Sequence, residues 1–331
     1  MKRTFEWVKM ERIFLTWSPF ASRSDLLAGS FNAKSYRISY LSKKTLLHTV
    51  LRYCAASFHT LYILLSEKPK IVFLINQPVF LPIVVCIYCR IRRSHYILDS
   101  HSGLLNKRVW RTFVPLMKII YRGCSLNIAH NEHDAQIYRS WGAKTAILGT
   151  EYYSHSDFKK LKLNTERNVV VIAVFGADEP IQEVLAAAAE LSDVSFYITG
   201  PIQNARKLGI TNHPPNVTLT GFLPRDEFVG LIMAADAAMV LVTTDNTMQM
   251  GAWEALSCQT PLIISNWPIL RNTFPKGAIF VDNSKSGITN GVRAFFRNKD
   301  QLKREIVQLR EEKLSVWKGE VDRVRNFIDC L

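Results

Sequence analysis

Between Val169 and Asn283, six short apolar runs alternate with helix-forming segments, and this alternation restricts the possible folds more than any other feature. The runs are VVVIAVFG (169–176), VSFYITG (194–200), VTLTG (217–221), AAMVLVTT (237–244), PLIIS (261–265) and AIFVDN (278–283). Among the helical segments, DEPIQEVLAAAAEL (178–191) carries acids and a proline in its first turn. PRDEFVGLIMAA (224–235) and MQMGAWEALSC (248–258) follow. Strands that are apolar on both faces and joined by helical crossovers imply a parallel sheet covered on both sides. The expected fold of this half is α/β, Rossmann-like and doubly wound. A long charged helical tail follows from about residue 286.

The first half repeats the scheme less cleanly. Its strand candidates are RIFLTWS (12–18), YRISYL (36–41), KIVFLIN (70–76), HYILDS (95–100), LNIAHN (126–131) and TAILG (145–149), with the longest helical segment over 45–67. The charged, strand-poor stretch 154–167 reads as a linker. Two domains are therefore expected, 1–157 and 158–331, with the final helix packing back on the first. Ligands of such sheets bind at the carboxyl ends of the strands. Two Rossmann-like domains facing one another would enclose a cleft there.

Charge separates the halves. Residues 1–157 hold 22 Lys and Arg against 9 Asp and Glu (+13), and residues 158–331 hold 20 against 19 (+1), which sum to the chain's +14. A basic half beside a neutral one points to an anionic partner for the first half alone. No helix-turn-helix, RNP or zinc-finger pattern accompanies the charge, so nucleic acid is disfavoured. A peripheral membrane contact through basic and apolar helix faces fits better. The apolar stretch 71–89 is long enough to raise a membrane span. Asn76, Gln77, Pro78 and Pro82 break it into strand, turn and helix. The N-terminus, MKRTFEWVKMER, is charged and does not read as a signal peptide. Six cysteines, with Cys86 and Cys89 as a lone CxxC, read as reduced core thiols in a cytoplasmic protein.

Several chemistries lack their motif: there is no GxGxxG, GxxxxGK[ST], GxSxG or HExxH. The strand ends carry more. Gly176, Gly200 and Gly221 close three strands, and Phe222 follows the third. The loop Thr243 to Thr247 precedes the helix holding Glu254. Strand-end glycines let a ligand approach the backbone, and a helix N-terminus favours phosphate. A carboxylate two turns into that helix could accept hydrogen bonds from a ribose diol. In the first half, Asp99 precedes His101 by two residues, so it either orients His101 or caps a turn. Arg23 and Ser24 either start a helix or contact substrate. Asn131 and Glu132 either cap a helix or reach the cleft, and Asp245 and Asn246 either form a turn or contact the donor sugar. The tryptophans Trp7, Trp17, Trp141 and Trp253 read as core.

The order TG…PPNVTLTGFLPRDEFVGLIMAADAAMVLVTT…EALSCQTPLIIS resembles the donor half of the GT-B glycosyltransferases, in particular the retaining group-1 (family 4) class. Residues 254–261 are similar to the second half of that class's E-x7-E element. The likeness covers roughly residues 168–285. ILDSHSG (97–103) stands where the class often has a His-containing loop. The resemblance implies a UDP- or GDP-linked sugar donor as substrate, with no cofactor and no metal. It implies that Glu254 binds the ribose and that Thr247 and Met248 meet the diphosphate through backbone groups. Gly176, Gly200 and Asp245 would belong to the same donor site, Gly221 and Phe222 would lie near the base, and His101 would face the reacting sugar.

Two departures stand out. The first glutamate of the element should fall at Asn246. The class's Arg/Lys pair after the first strand of the domain is replaced by Asp178 and Glu179. Arg23, Arg206 and Lys207 are the candidates to meet the diphosphate charge instead. The implied function is hexosyl transfer with retention, onto a glycan or polyprenyl-linked acceptor, in cell-surface polysaccharide or glycoconjugate synthesis at the inner face of the cytoplasmic membrane. The rival readings are a non-catalytic glycosyltransferase-like subunit that binds nucleotide sugar, and a sugar-nucleotide epimerase.

Overall fold

The computed structural model describes residues 11–331 apart from 19–21, 41–44, 102–103, 105–109, 111, 150–157, 164, 246 and 248. The chain divides into two compact units, Met1–Glu151 with Val316–Leu331, and Tyr152–Ser315.

In the first unit, β1 (Arg12–Thr16), β2 (Lys34–Arg37), β3 (Ile71–Ile75), β4 (His95–Ser100), β5 (Leu126–Ala129) and β6 (Thr145–Ile147) form one sheet in the order β2-β1-β3-β4-β5-β6. In the second, β7 (Asn168–Val171), β8 (Ser195–Thr199), β9 (Val217–Gly221), β10 (Ala237–Val240), β11 (Leu262–Ser265) and β12 (Ala278–Val281) are ordered β12-β11-β10-β7-β8-β9. Every neighbouring pair in both sheets is parallel. These are the two doubly wound α/β sheets expected. The strand order reverses between β1 and β3 in one and between β7 and β10 in the other, the points where such sheets open a ligand crevice.

The two-residue period of a strand explains the layering. Val169 and Val171 of β7 pack with Ile181, Val184 and Leu185 on one side, while Val170 packs with Ile232 and Leu256 on the other. In β1, Ile13 and Leu15 join one core and Phe14 the other. Each unit is thus a sheet between two apolar layers, so its strands read as unbroken apolar runs.

The stretch 71–89 becomes β3 followed by the helix Phe80–Arg92, and no helix among the described residues is long and apolar enough to cross a membrane. The second strand falls at Lys34–Arg37 rather than 36–41. It is an edge strand paired only with β1, and its half-exposed residues lack a continuous apolar signal. Of the linker stretch 154–167, residues 154–157 and 164 lie outside the described residues. The last helix, Lys299–Asp329, contributes Leu302, Ile306 and Leu309 to the cores of the second unit, and Val321, Val324 and Ile328 to the core of the first beside Phe14 and Leu27.

Candidate active site

At the carboxyl end of the first unit's sheet, Asp99 is 1% exposed. Arg23 Nε donates to both of its oxygens at 3.2 and 3.3 Å. The other two guanidinium nitrogens donate to the carbonyls of Gly149 (2.7 Å) and Leu148 (2.9 Å). Burial alone pushes the Asp99 carboxyl up, but the Arg23 charge and the two neighbouring imidazoles outweigh it and hold the carboxyl well below the usual carboxylate range. Those imidazoles are His101, with Nε2 3.3 Å from Asp99, and His130, with Nε2 3.7 Å away. Beyond these contacts with Asp99, neither buried Nε2 has a hydrogen-bond partner among the described residues.

The parallel register brings the histidines together. Asp99 pairs with Ile128 and Ser100 with Ala129, so His101 and His130 are the next residues on adjacent strands, with ring centroids 4.7 Å apart. Burial and the Arg23 charge push the His130 imidazole down to about 3 against the pull of Asp99, which makes it neutral at neutral pH. The main chain of His101 is pinned. Its N–H donates to Asn76 Oδ1 (3.1 Å), and its carbonyl accepts from Asn76 Nδ2 (3.0 Å). Asn76 is fully buried at the end of β3. The His101 side chain itself is 42% exposed, so it can meet a ligand from a fixed backbone. The ligand atoms of Asp99, His101 and His130 lie within 4.8 Å of one another, a spacing a cation could bridge. Arg23 already occupies both Asp99 oxygens, which leaves that carboxylate poorly placed to neutralise a second positive charge.

In the second unit the loops after β7 and β10 are tied together: Thr243 donates to the Asp178 carbonyl from its N–H (2.7 Å) and its hydroxyl (3.1 Å). The loops after β8 and β9 are joined by Gly200 N–H to Gly221 C=O at 3.1 Å. Both glycines have positive φ, and a Cβ on Gly200 would lie 2.6 Å from the Ala173 carbonyl, so a side chain does not fit there. The helix Met250–Ser257 starts against β7, where a Cβ on Gly251 would meet Ile172 at 2.6 Å. Gln249 at its N-cap makes no side-chain cap; its Nε2 donates instead to the Leu241 carbonyl (3.0 Å). Within the first turn the Ala252 N–H donates to the Gln249 carbonyl at 3.3 Å, and the positive end of the helix dipole faces the loop that follows β10.

Glu254 lies in this helix, half-buried. Burial pushes its carboxyl up, opposed by the charge of Arg225, and among the described residues its carboxylate accepts no hydrogen bond. Phe222 is 69% exposed beyond β9.

Glu179 corrects the view of its segment as merely acidic. Its carboxylate accepts from the N–H groups of Val174 (3.1 Å) and Gly176 (2.9 Å). The amides that an incoming phosphate would use at this strand end are thus already taken by an internal anion.

The called residues fall into three groups. His101 and Arg23 are brought together through Asp99, and the guanidinium of Arg23 is engaged there in full. Gly176, Gly200, Gly221, Phe222, Asp245, Thr247 and Glu254 lie on strand-end loops of the second unit or on the helix that follows them. Arg206 and Lys207 lie exposed in the last turn of the helix Ile202–Lys207. Asn246 and Met248 lie outside the described residues. Asn131 is a helix cap, its Oδ1 accepting from Asp134 N–H at 2.8 Å. His130 and Asn76 escaped the sequence reading. Their one signal was position, each being a polar residue that closes an apolar strand.

No protein-family model matches the chain, and no curated protein matches its sequence. Solved structures do match. HepE of Anabaena, in complex with UDP and glucose, aligns with a TM-score of 0.68 at 13% identity over 97% of this chain and 100% of its own. Sucrose-phosphate synthase from Thermosynechococcus elongatus aligns with a TM-score of 0.63 at 13% identity, over 90% of this chain and 83% of its own. MnaA of S. aureus, solved with UDP, aligns with a TM-score of 0.58 at 11% identity over 89% and 91%. At these identities the likeness shows a shared fold, the pair of Rossmann-like units called GT-B.

Proposed function

We propose that the chain is a glycosyltransferase that takes a sugar from a UDP- or GDP-linked donor held by the second unit and passes it to a glycan or polyprenyl-linked acceptor. Glu254 carries the reading. A half-buried carboxylate without a hydrogen-bond donor is costly unless a ligand supplies one, and the two hydroxyls of a ribose are such donors. The N-terminal end of the same helix supports a diphosphate beside it, because the positive end of the helix dipole stabilises the charge that grows on the leaving group. That HepE and MnaA hold UDP in their crystal structures supports the same class of ligand. His101 acts at the transferred sugar. With Nε2 turned toward Asp99, its Nδ1 edge is the one left to meet a hydroxyl. Transfer with retention rests on the sequence resemblance.

Binding of a panel of UDP- and GDP-sugars, followed as a thermal shift, tests this reading, because a ligand of the native state stabilises it in proportion to its affinity. One donor class is expected to raise the wild-type melting temperature. Glu254→Ala is expected to weaken that donor about 10- to 150-fold, the worth of hydrogen bonds to a charged acceptor. Equal stabilisation of both forms by every donor would remove Glu254 from the site. Donor binding without turnover would instead favour a non-catalytic subunit.

A further inference from the structure

Three helices lie side by side on one face of the first unit's sheet: Leu46–Glu67, Phe80–Arg92 and Val114–Gly123. Their inner sides share one core, through Ala56, Ile63, Leu64, Leu81, Val85 and Met117. Their outer sides are also apolar. On the first helix Leu47, Leu51, Cys54, Phe58, Tyr62 and Leu65 recur every three or four residues, which is one stripe of a helix. Phe58 is 74% exposed and Tyr62 70%. Ile87 and Ile91 continue the apolar surface on the second helix, and Leu116 and Ile119 on the third. A helix apolar all round belongs in an interior, and contiguous exposed apolar surface marks an interaction site.

The charges around this surface are of one sign. The three helices carry Arg52, Arg90, Arg92, Lys118 and Arg122 against Glu67 alone, and Glu67 is bonded to Lys34 and Tyr36. At the C-terminal ends of the first two helices, Lys68, Arg92 and Arg93 line one concavity. A second copy docked here would set arginine against arginine, whereas lipid phosphates would neutralise them. A 22-residue helix is about 33 Å long, yet none among the described residues is apolar enough to cross a bilayer.

We propose that this face is a membrane-docking surface, on which Leu47, Leu51, Phe58, Tyr62 and Leu65 enter the headgroup region of an anionic bilayer and the arginines hold its phosphates. The docking surface belongs to the first unit and the donor loops to the second, and it does not rest on the glycosyltransferase reading. Where that reading holds, it brings the enzyme to a lipid-linked acceptor.

Co-sedimentation of the full chain with vesicles of phosphatidylcholine alone, or mixed with phosphatidylglycerol, tests the proposal. Binding to the anionic vesicles, weakening as salt rises, is the expected result. Phe58→Glu/Tyr62→Glu should lower the affinity at least about 30-fold, given the worth of burying large apolar side chains. Arg90→Glu/Arg92→Glu should remove most of the salt-sensitive part. Both variants should melt as the wild type does and keep its thermal shift with nucleotide sugars, which separates a failure of docking from a failure of the donor reading. Several results would overturn the proposal: no vesicle binding by the wild type, binding unchanged in both variants, or a solution dimer that Phe58→Glu/Tyr62→Glu dissociates. Loss of folding in the glutamate variants would also do so, because it would mean the stripe is buried.

Discussion

Asp99→Ala is expected to destabilise the first unit by about 3–5 kcal/mol, the usual cost of stripping one partner from a buried ion pair. Asp99 is 1% exposed and Arg23 8%. Without the carboxylate, the guanidinium keeps its bonds to the carbonyls of Leu148 and Gly149 but is left as an uncompensated buried charge. The loss should appear as a fall of about 6–20 °C in the melting temperature of that unit. Asp99→Leu combined with Arg23→Met should recover most of it, because no charge is then left buried. A loss below about 1 kcal/mol in urea unfolding, the range of surface pairs, would contradict the burial described here.

His101→Ala should do the opposite: little to stability and much to rate. Its side chain is 42% exposed and touches Asp99 at 3.3 Å, while its main chain is held by Asn76 whatever the side chain. Under the proposed function, in which it transfers a proton or positions a hydroxyl at the transferred sugar, its removal should lower kcat about 10²- to 10⁴-fold. The donor's thermal shift should stay as in the wild type. KM for the donor should stay within about threefold while kcat falls, a split that a merely structural role would not produce. A kcat within about threefold of the wild type would take His101 out of the chemistry, since a positioned acid or base contributes far more.

The unbroken apolar runs made the sheets legible in the sequence, because strands packed on both faces have no polar side to disguise them. The edge strand β2 was misplaced for the converse reason. Of the strand-end glycines singled out in the second unit, Gly200 and Gly221 have the positive φ that a glycine is kept for. The side-chain constellation in the first unit was beyond reach. Asp99, His101 and His130 meet because β4 pairs with β5 in one register, and register between strands some 30 residues apart is not encoded locally. Arg23 read either as the start of a helix or as a candidate contact for phosphate. Its three partners lie on β4 and beyond β6, at separations of 76 to 126 residues. Glu179 read as a charge opposed to a diphosphate. Its carboxylate satisfies the backbone of its own loop, where a short-range contact overrides the sign of the charge.

Hydrogen–deuterium exchange of the full chain with and without UDP or GDP tests the central claim most directly, because exchange reports where a ligand protects backbone amides. Protection is expected at the start of the helix Met250–Ser257 and at the strand-end loops around Gly200, Gly221 and Thr243. This protection should be lost in Glu254→Ala at the same nucleotide concentration. Protection confined to other segments, or no protection by either nucleotide at saturating concentration, would contradict the claim.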